Sequence, residues 1–277
     1  MEQNTSKYIW RLLLFLSPFA IYLIVYVLTD PFMIIYRYQD FNKRSFIHKN
    51  RDYVSSEMLI TNSRKHIYDS FIFGASTALA FTPSIWRDYI KTDNLCYTFD
   101  ASGEYIDGIW SKVKYLDANG YKINNALIIL ESNTFDQFVN DVPIFMKHPR
   151  VYPSSLLYFH YSSFLSFMEL KFQVAIITHL ITGKFYPFMN EILVSSNYEY
   201  DTITNEFYNI GLWDEIKNDS VGFYEKRANT FPHVTGKYTE GMSQITDQHR
   251  VMLEEIKVIF DKQWTAYRII ISPALNQ

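Results

Sequence analysis

The apolar run Phe71-Ile72-Phe73 stops at Gly74 and delivers a serine, Ser76, two residues later. Thr82 and Pro83 follow, residues suited to the N-cap and first turn of a helix. The Ser76 hydroxyl is therefore expected in a strand-to-helix turn, where backbone N–H groups point outward and ligands of open α/β sheets bind. The plain alternative is an ordinary turn with a small residue at a tight corner. Two later strand-like stretches end comparably, at Ser102-Gly103 and at Ser132-Asn133. Cys96 is the only cysteine, which excludes an intrachain disulfide and a thiolate metal cluster. No two histidines have metal-ligand spacing, so no metal is expected. His148 and His233 sit beside prolines and read as solvated loop residues. His249 lies two residues after Asp247 in a predicted helix, so the two point in different directions and His249 is expected at the surface.

The elements that must position these residues alternate from Asp69 onward. Strands are predicted over 71–73, 96–99 and 126–130, the last too continuously apolar to be exposed on either face. A short helix is predicted over 82–89, and a longer one carries Tyr105, Ile109, Val113 and Leu116 before ending at Asn119-Gly120 in the manner of a left-handed cap. Residues 136–234 break the alternation and read as a helical insertion, within which 197–232 is polar and irregular, a flap or a surface loop. A helix over 242–262 offers Ile245, Met252, Ile256, Val258 and Ile259 as an apolar face, and 267–272 reads as a buried strand. Only Pro273 to Gln277 follow, too few to cover a sheet face, so the chain is expected to be C-terminally truncated.

Before this pattern stand a short tail (1–11), an apolar segment (12–29) and a mixed connector (30–68). Leu12 to Leu28 is long enough to cross a bilayer and carries aromatic flanks, with no signal-peptidase pattern after it. It is expected to be an uncleaved, single-pass transmembrane anchor. Basic residues on both flanks leave its orientation undecided by charge. A second apolar stretch, 156–181, is interrupted by His160, Glu169, Lys171 and His179, so it is not expected to span. The connector, with Lys43-Arg44 and His48-Lys49-Asn50-Arg51, is expected to be a solvated leader that packs along the globular domain. The net charge of −3 over 277 residues supplies no basic field for nucleic acid.

The ordered blocks Gly74-Ala75-Ser76, Ser102-Gly103 and Ser132-Asn133 resemble those of the GDSL/SGNH hydrolase family, most closely its membrane-anchored bacterial envelope members. The resemblance covers about 69–133 and extends to the last strand. It implies an α/β domain over 69–277, a three-layer α/β/α flavodoxin-like parallel sheet with a helical insertion. It also implies Ser76 as nucleophile, with the Ser76 and Gly103 N–H groups and the Asn133 amide as the oxyanion hole. Such neutral donors suit the charge that develops during acyl transfer. The chain differs from the family pattern at Ala75, at Glu131 in place of a glycine and at Thr134 in place of an aspartate. The family's Asp-x-x-His block has no counterpart, and the general base is not found.

The resemblance further implies serine-mediated hydrolysis or transfer of acyl esters on an envelope glycan, without a cofactor, by a domain on the extracytoplasmic side. Its partners would be the bilayer, through 12–29, an acylated glycan or acyl donor, and envelope-assembly proteins. The alternative is a non-catalytic anchored scaffold of polysaccharide assembly that keeps the same fold.

Overall fold

The computed structural model describes residues 2–43, 46–131, 133–136, 143–190, 192–194, 197–228 and 245–272. Chain order is α1 (Glu2–Thr29), α2 (Arg51–Asn62), β1 (Tyr68–Gly74), α3 (Pro83–Ile90), β2 (Leu95–Asp100), α4 (Ile106–Ala118) and β3 (Asn125–Leu130). There follow α5 (Leu156–Met168), α6 (Leu170–Thr182), β4 (Glu199–Tyr200), β5 (Phe207–Tyr208), α7 (Ile210–Asn218), α8 (Ser220–Arg227), α9 (Asp247–Gln263) and β6 (Ala266–Ile271).

Because β1, β2 and β3 are short, apolar and joined by helical crossovers, they pair in parallel, and the sheet has the order β2-β1-β3-β6. Alternation of side chains divides the core. Phe71, Phe73, Tyr97, Phe99, Ala126 and Ile128 meet α2, α4 and α9, while Ile72, Leu127 and Ile129 meet Ala78, Phe81 and Trp86. Gly120, at φ +76°, ends α4 as its sequence predicts. The α/β class, the parallel sheet with flanking helices and a single apolar N-terminal helix long enough to span a bilayer thus agree with the expectation.

Several expectations are corrected. The connector packs along the domain as expected but is not solvated: α2 inserts Val54, Met58 and Leu59 into the main core, and Asp30, Met33, Phe41 and Ile47 are buried too. Its inward face also carries Asp52, Ser55, Ser56 and Glu57, several of them satisfied by specific partners, which hides the apolar period. Residues 197–228 are ordered as the antiparallel pair β4 and β5 and the helices α7 and α8. The strand β6 is an edge, bonded only to β3, and Ile269 and Ile271 stand exposed. Val258 on α9 faces outward, and Phe260 joins Ile256 inside instead. His249 is buried, because as the third residue of α9 it closes a capping box with Thr246 and packs on Phe135.

Candidate functional site

The Ser76 turn is built by a glycine and a carboxylate. Gly74 sits at φ +154°, and a Cβ there would lie 2.8 Å from the Ile129 carbonyl oxygen, so only glycine lets β1 approach β3 this closely. The chain then passes through buried Ala75 into a 3₁₀ turn over Ser76–Ala80, which leaves Ser76 exposed. Glu131, at the end of β3, accepts from the Thr77 N–H (3.2 Å) and the Thr77 hydroxyl (2.5 Å). Glu131 thus fastens the serine turn to the neighbouring strand.

Gly103 stands at φ +60° with open space where a Cβ would point, so its backbone conformation rather than crowding calls for glycine. Beyond β3, Thr134 is buried; its hydroxyl accepts from the Glu131 N–H (2.7 Å) and its carbonyl from the Ile106 N–H (2.8 Å). It locks the loop that presents Asn133 against the start of α4. The Asn133 side chain makes no hydrogen bond among the described residues, and its Oδ1 is buried without a partner. Ser132 lies outside the described residues. Ser76, Gly103 and Asn133 therefore occupy the same, C-terminal, edge of three neighbouring strands.

Ser76 and Ser102 open on a cleft of about 290 Å³ whose walls also include His48, Arg51, Asp100 and Tyr200. Gly103 and Asn133 are not among its walls. Arg51 meets Asp100 in a fork, Nε to Oδ2 at 3.0 Å and Nη2 to Oδ1 at 2.8 Å, and also donates to Asn205 Oδ1 at 2.7 Å. The Tyr200 ring covers the guanidinium at 3.6 Å. The arginine and the aspartate are thereby committed to each other, and they join α2, β2 and the segment around Asn205 into the cleft floor.

His48 was hidden within a basic run of the connector. Its backbone N–H donates to the Ile192 carbonyl (2.9 Å), and neighbouring Ile47 bridges Leu193, which holds the ring at the cleft wall. Burial lowers its pKa, opposed by a hydrogen bond to the Asn190 backbone. It is therefore neutral near pH 7 and able to accept a proton. The one sequence signal was Asn50, two residues on, which caps α2 by accepting from the Tyr53 N–H (2.9 Å).

No family model, curated protein or solved structure matches this chain.

The other reactive groups are spent elsewhere. His148, expected in solvent, is buried: Nε2 faces Glu57 Oε1 at 3.0 Å and Nδ1 accepts from the Arg150 N–H at 3.1 Å, leaving neither nitrogen for Ser76. His233 lies outside the described residues. Burial pushes the Cys96 thiol up to about 12, which makes it a poor nucleophile. Among the described residues no three His, Cys, Asp or Glu side chains converge on a metal position.

Behind the cleft, Asp52, Glu104, Lys112 and Lys147 form a buried, charge-balanced cluster. Burial would raise the Asp52 pKa, but Lys112 and Lys147 outweigh it and hold the carboxyl below its usual range. Lys112 also donates to the carbonyls of Asp100 (3.0 Å) and Phe99 (3.3 Å). The end of β2, from which Ser102 and Gly103 follow, is thus pinned from beneath.

Proposed function

We propose that this chain is a membrane-anchored, SGNH-like serine esterase or acyltransferase acting on acyl esters of a bacterial envelope glycan, with its domain outside the cytoplasm. The observation that carries the reading is the placement of Ser76, Gly103 and Asn133 at one edge of adjacent strands in the order β2-β1-β3. That order is compatible with the flavodoxin-like, three-layer arrangement the resemblance implies.

In this reading Ser76 Oγ attacks the acyl carbonyl and its proton passes to His48, the histidine on the cleft wall. Negative charge on the carbonyl oxygen is met by the Ser76 and Gly103 N–H groups and the Asn133 amide. Collapse expels the alcohol, which takes the proton from His48, and water or a sugar hydroxyl then releases the acyl group from Ser76. The reaction uses no cofactor. A fluorophosphonate probe tests it: the full chain in detergent should be labelled, Ser76→Ala should not, and His48→Ala should label at least about 10²-fold more slowly, as for loss of a general base. Labelling that survives Ser76→Ala refutes the assignment.

One observation favours the scaffold alternative. Ser76 Oγ has no hydrogen-bond partner among the described residues, so the free protein holds no assembled serine–histidine pair. Absence of labelling in a folded sample would select that reading.

A further inference from the structure

We propose that α5 and α6 form a re-entrant elbow embedded in one leaflet of the membrane beside α1. The inference rests on α1 as the membrane span and is independent of the chemistry assigned to Ser76.

Four aromatic contacts fix α5 against α1: Phe164 on Phe19 (5.4 Å between centroids) and Tyr26 (5.3 Å), and Phe167 on Tyr22 (6.3 Å) and Tyr26 (5.3 Å). At 1.5 Å per residue, Tyr26 and Phe19 lie about 5 Å and about 15 Å along α1 from its end at Thr29. If α1 crosses hydrocarbon about 30 Å thick, contacts spread between Tyr26 and Phe19 place α5 within the near half of that thickness. Lipid, not water, then surrounds the outer side of α5.

The outer sides fit that solvent. Leu157, Tyr161 and Leu165 on α5 and Val174, Ile177 and Ile181 on α6 recur at helical spacing and are exposed, Leu157 to 83 % and Ile181 to 78 %. The inner sides, with Phe159, Phe164, Phe167, Phe172 and Ala175, are apolar as well and buried. Helices apolar on both sides belong in a large core or in a membrane, and α1, against which α5 packs, is itself apolar and exposed.

Polar groups are also satisfied within the helices. The Ser163 hydroxyl donates to the Phe159 carbonyl and Thr182 to Thr178, while at the bend Gln173 Nε2 donates to the Phe167 carbonyl that the break of the helix frees. Each helix has 13 residues, about 20 Å, too short to span alone, and the two are bent by 60°. Both ends return to the same domain: Phe159 stacks on Tyr53 of α2, and beyond α6 Leu193 bridges Ile47. Glu169 and Lys171 at the bend keep it from the bilayer midplane, where charge is costly. The elbow thus enters and leaves on one side, beside the segment that carries His48.

The test uses the full chain reconstituted in phosphatidylcholine–phosphatidylglycerol vesicles, with an environment-sensitive NBD label at Leu157→Cys, Ile177→Cys or Ile181→Cys in a Cys96→Ala background. Leu14→Cys serves as the lipid reference and Trp264→Cys, 91 % exposed at the opposite edge of the sheet, as the aqueous one. Shallow doxyl lipids should quench all three elbow labels at least about threefold more than the aqueous reference, and iodide should quench them correspondingly less. Quenching by iodide as strong as at Trp264 overturns the elbow. Shielding from both quenchers also overturns it, in favour of a second copy or another protein. If Leu14 too escapes the doxyl lipids, the anchor itself falls, and the elbow with it.

Discussion

Replacing Lys112 by methionine removes one of two ammonium groups from a site where two carboxylates are buried. Asp52 Oδ2 lies 3.3 Å from Lys112 Nζ but 3.9 Å from Lys147 Nζ, and Glu104 contacts both lysines. At an effective dielectric constant of about 20, the Lys112–Asp52 contact alone is a gross attraction of about 5 kcal/mol. Breaking a buried pair from one side costs about 3–5 kcal/mol, since the remaining carboxylate is left uncompensated. The carbonyls of Phe99 and Asp100 also lose a donor. Lys112→Met should therefore lower the midpoint of thermal unfolding at pH 7 by roughly 6–20 °C, taking about 2–4 °C per kcal/mol for a domain of this size. The loss should depend on pH. Lys112 is the largest of the influences that lower the Asp52 carboxyl, ahead of Lys147 and the His148 N–H, so its loss moves that carboxyl upward, and a carboxyl raised relative to wild type loses less stability as pH falls. The deficit should thus shrink from pH 7 to pH 5, whereas wild type should lose the contribution of its depressed Asp52 only on acidification below about pH 4. Tryptophan fluorescence of the detergent-solubilised full chain at both pH values measures this. A deficit below about 1 kcal/mol, or one that grows on acidification, would refute the cluster as a supporting element.

Gly74→Ala should destabilise the chain by about 1–3 kcal/mol through overpacking against Ile129, and should slow fluorophosphonate labelling because the Ser76 turn must shift; a neutral effect on both would show that β1 and β3 do not need their close approach. Asn133→Ala should reduce ester turnover by about 10²- to 10³-fold while leaving the unfolding midpoint nearly unchanged, as its side chain bonds nothing among the described residues. Since burial depresses the His48 pKa, labelling of Ser76 should persist below pH 6.5, the ordinary imidazole value, and disappear only at more acidic pH. Over the same interval, from about pH 6.5 downward, the unfolded chain takes up the proton first and stability falls. Labelling that titrates at or above pH 6.5 would remove His48 as the base.

What could be read in advance follows from where each element gets its stability. The strands β1 and β3 owe theirs to continuous apolar burial and α4 to a 3.6-residue period, so composition and spacing reveal them. The same logic misread β6, because Ile269-Ile270-Ile271 looks like a buried run whether or not anything covers it. Helix α2 escaped notice for the opposite reason. Half of its inner face is polar, and its burial depends on Lys112, His148 and the Asp100 carbonyl, which are remote in sequence. The order of Ser76, Gly103 and Asn133 was visible as three strand ends, but His48 was not, because residues remote in sequence, Asn190, Ile192 and Leu193, hold it at the cleft.

The cleft walls come from parts of the chain that are made at different times. Ser76 is held early, by β1 and Glu131, but the opposite wall needs Tyr200 and the segment around Asn205, which locks onto Arg51, Asp100 and the Thr98 carbonyl. Asn62 and Tyr68 grip the same segment through the carbonyls of Thr202 and Ile203. These contacts close loops of more than a hundred residues, the slow step in folding a chain of this topology. A ribosome-bound chain arrested before residue 205 would therefore display the serine turn on an open surface, with no enclosure around it. Arg51 and Asp100 would be without the amide that joins them to the late wall. Formation of the cleft is thereby deferred until the segment around Asn205 has docked, and arrest of translation on either side of Asn205 should separate a chain without a pocket from one that has it.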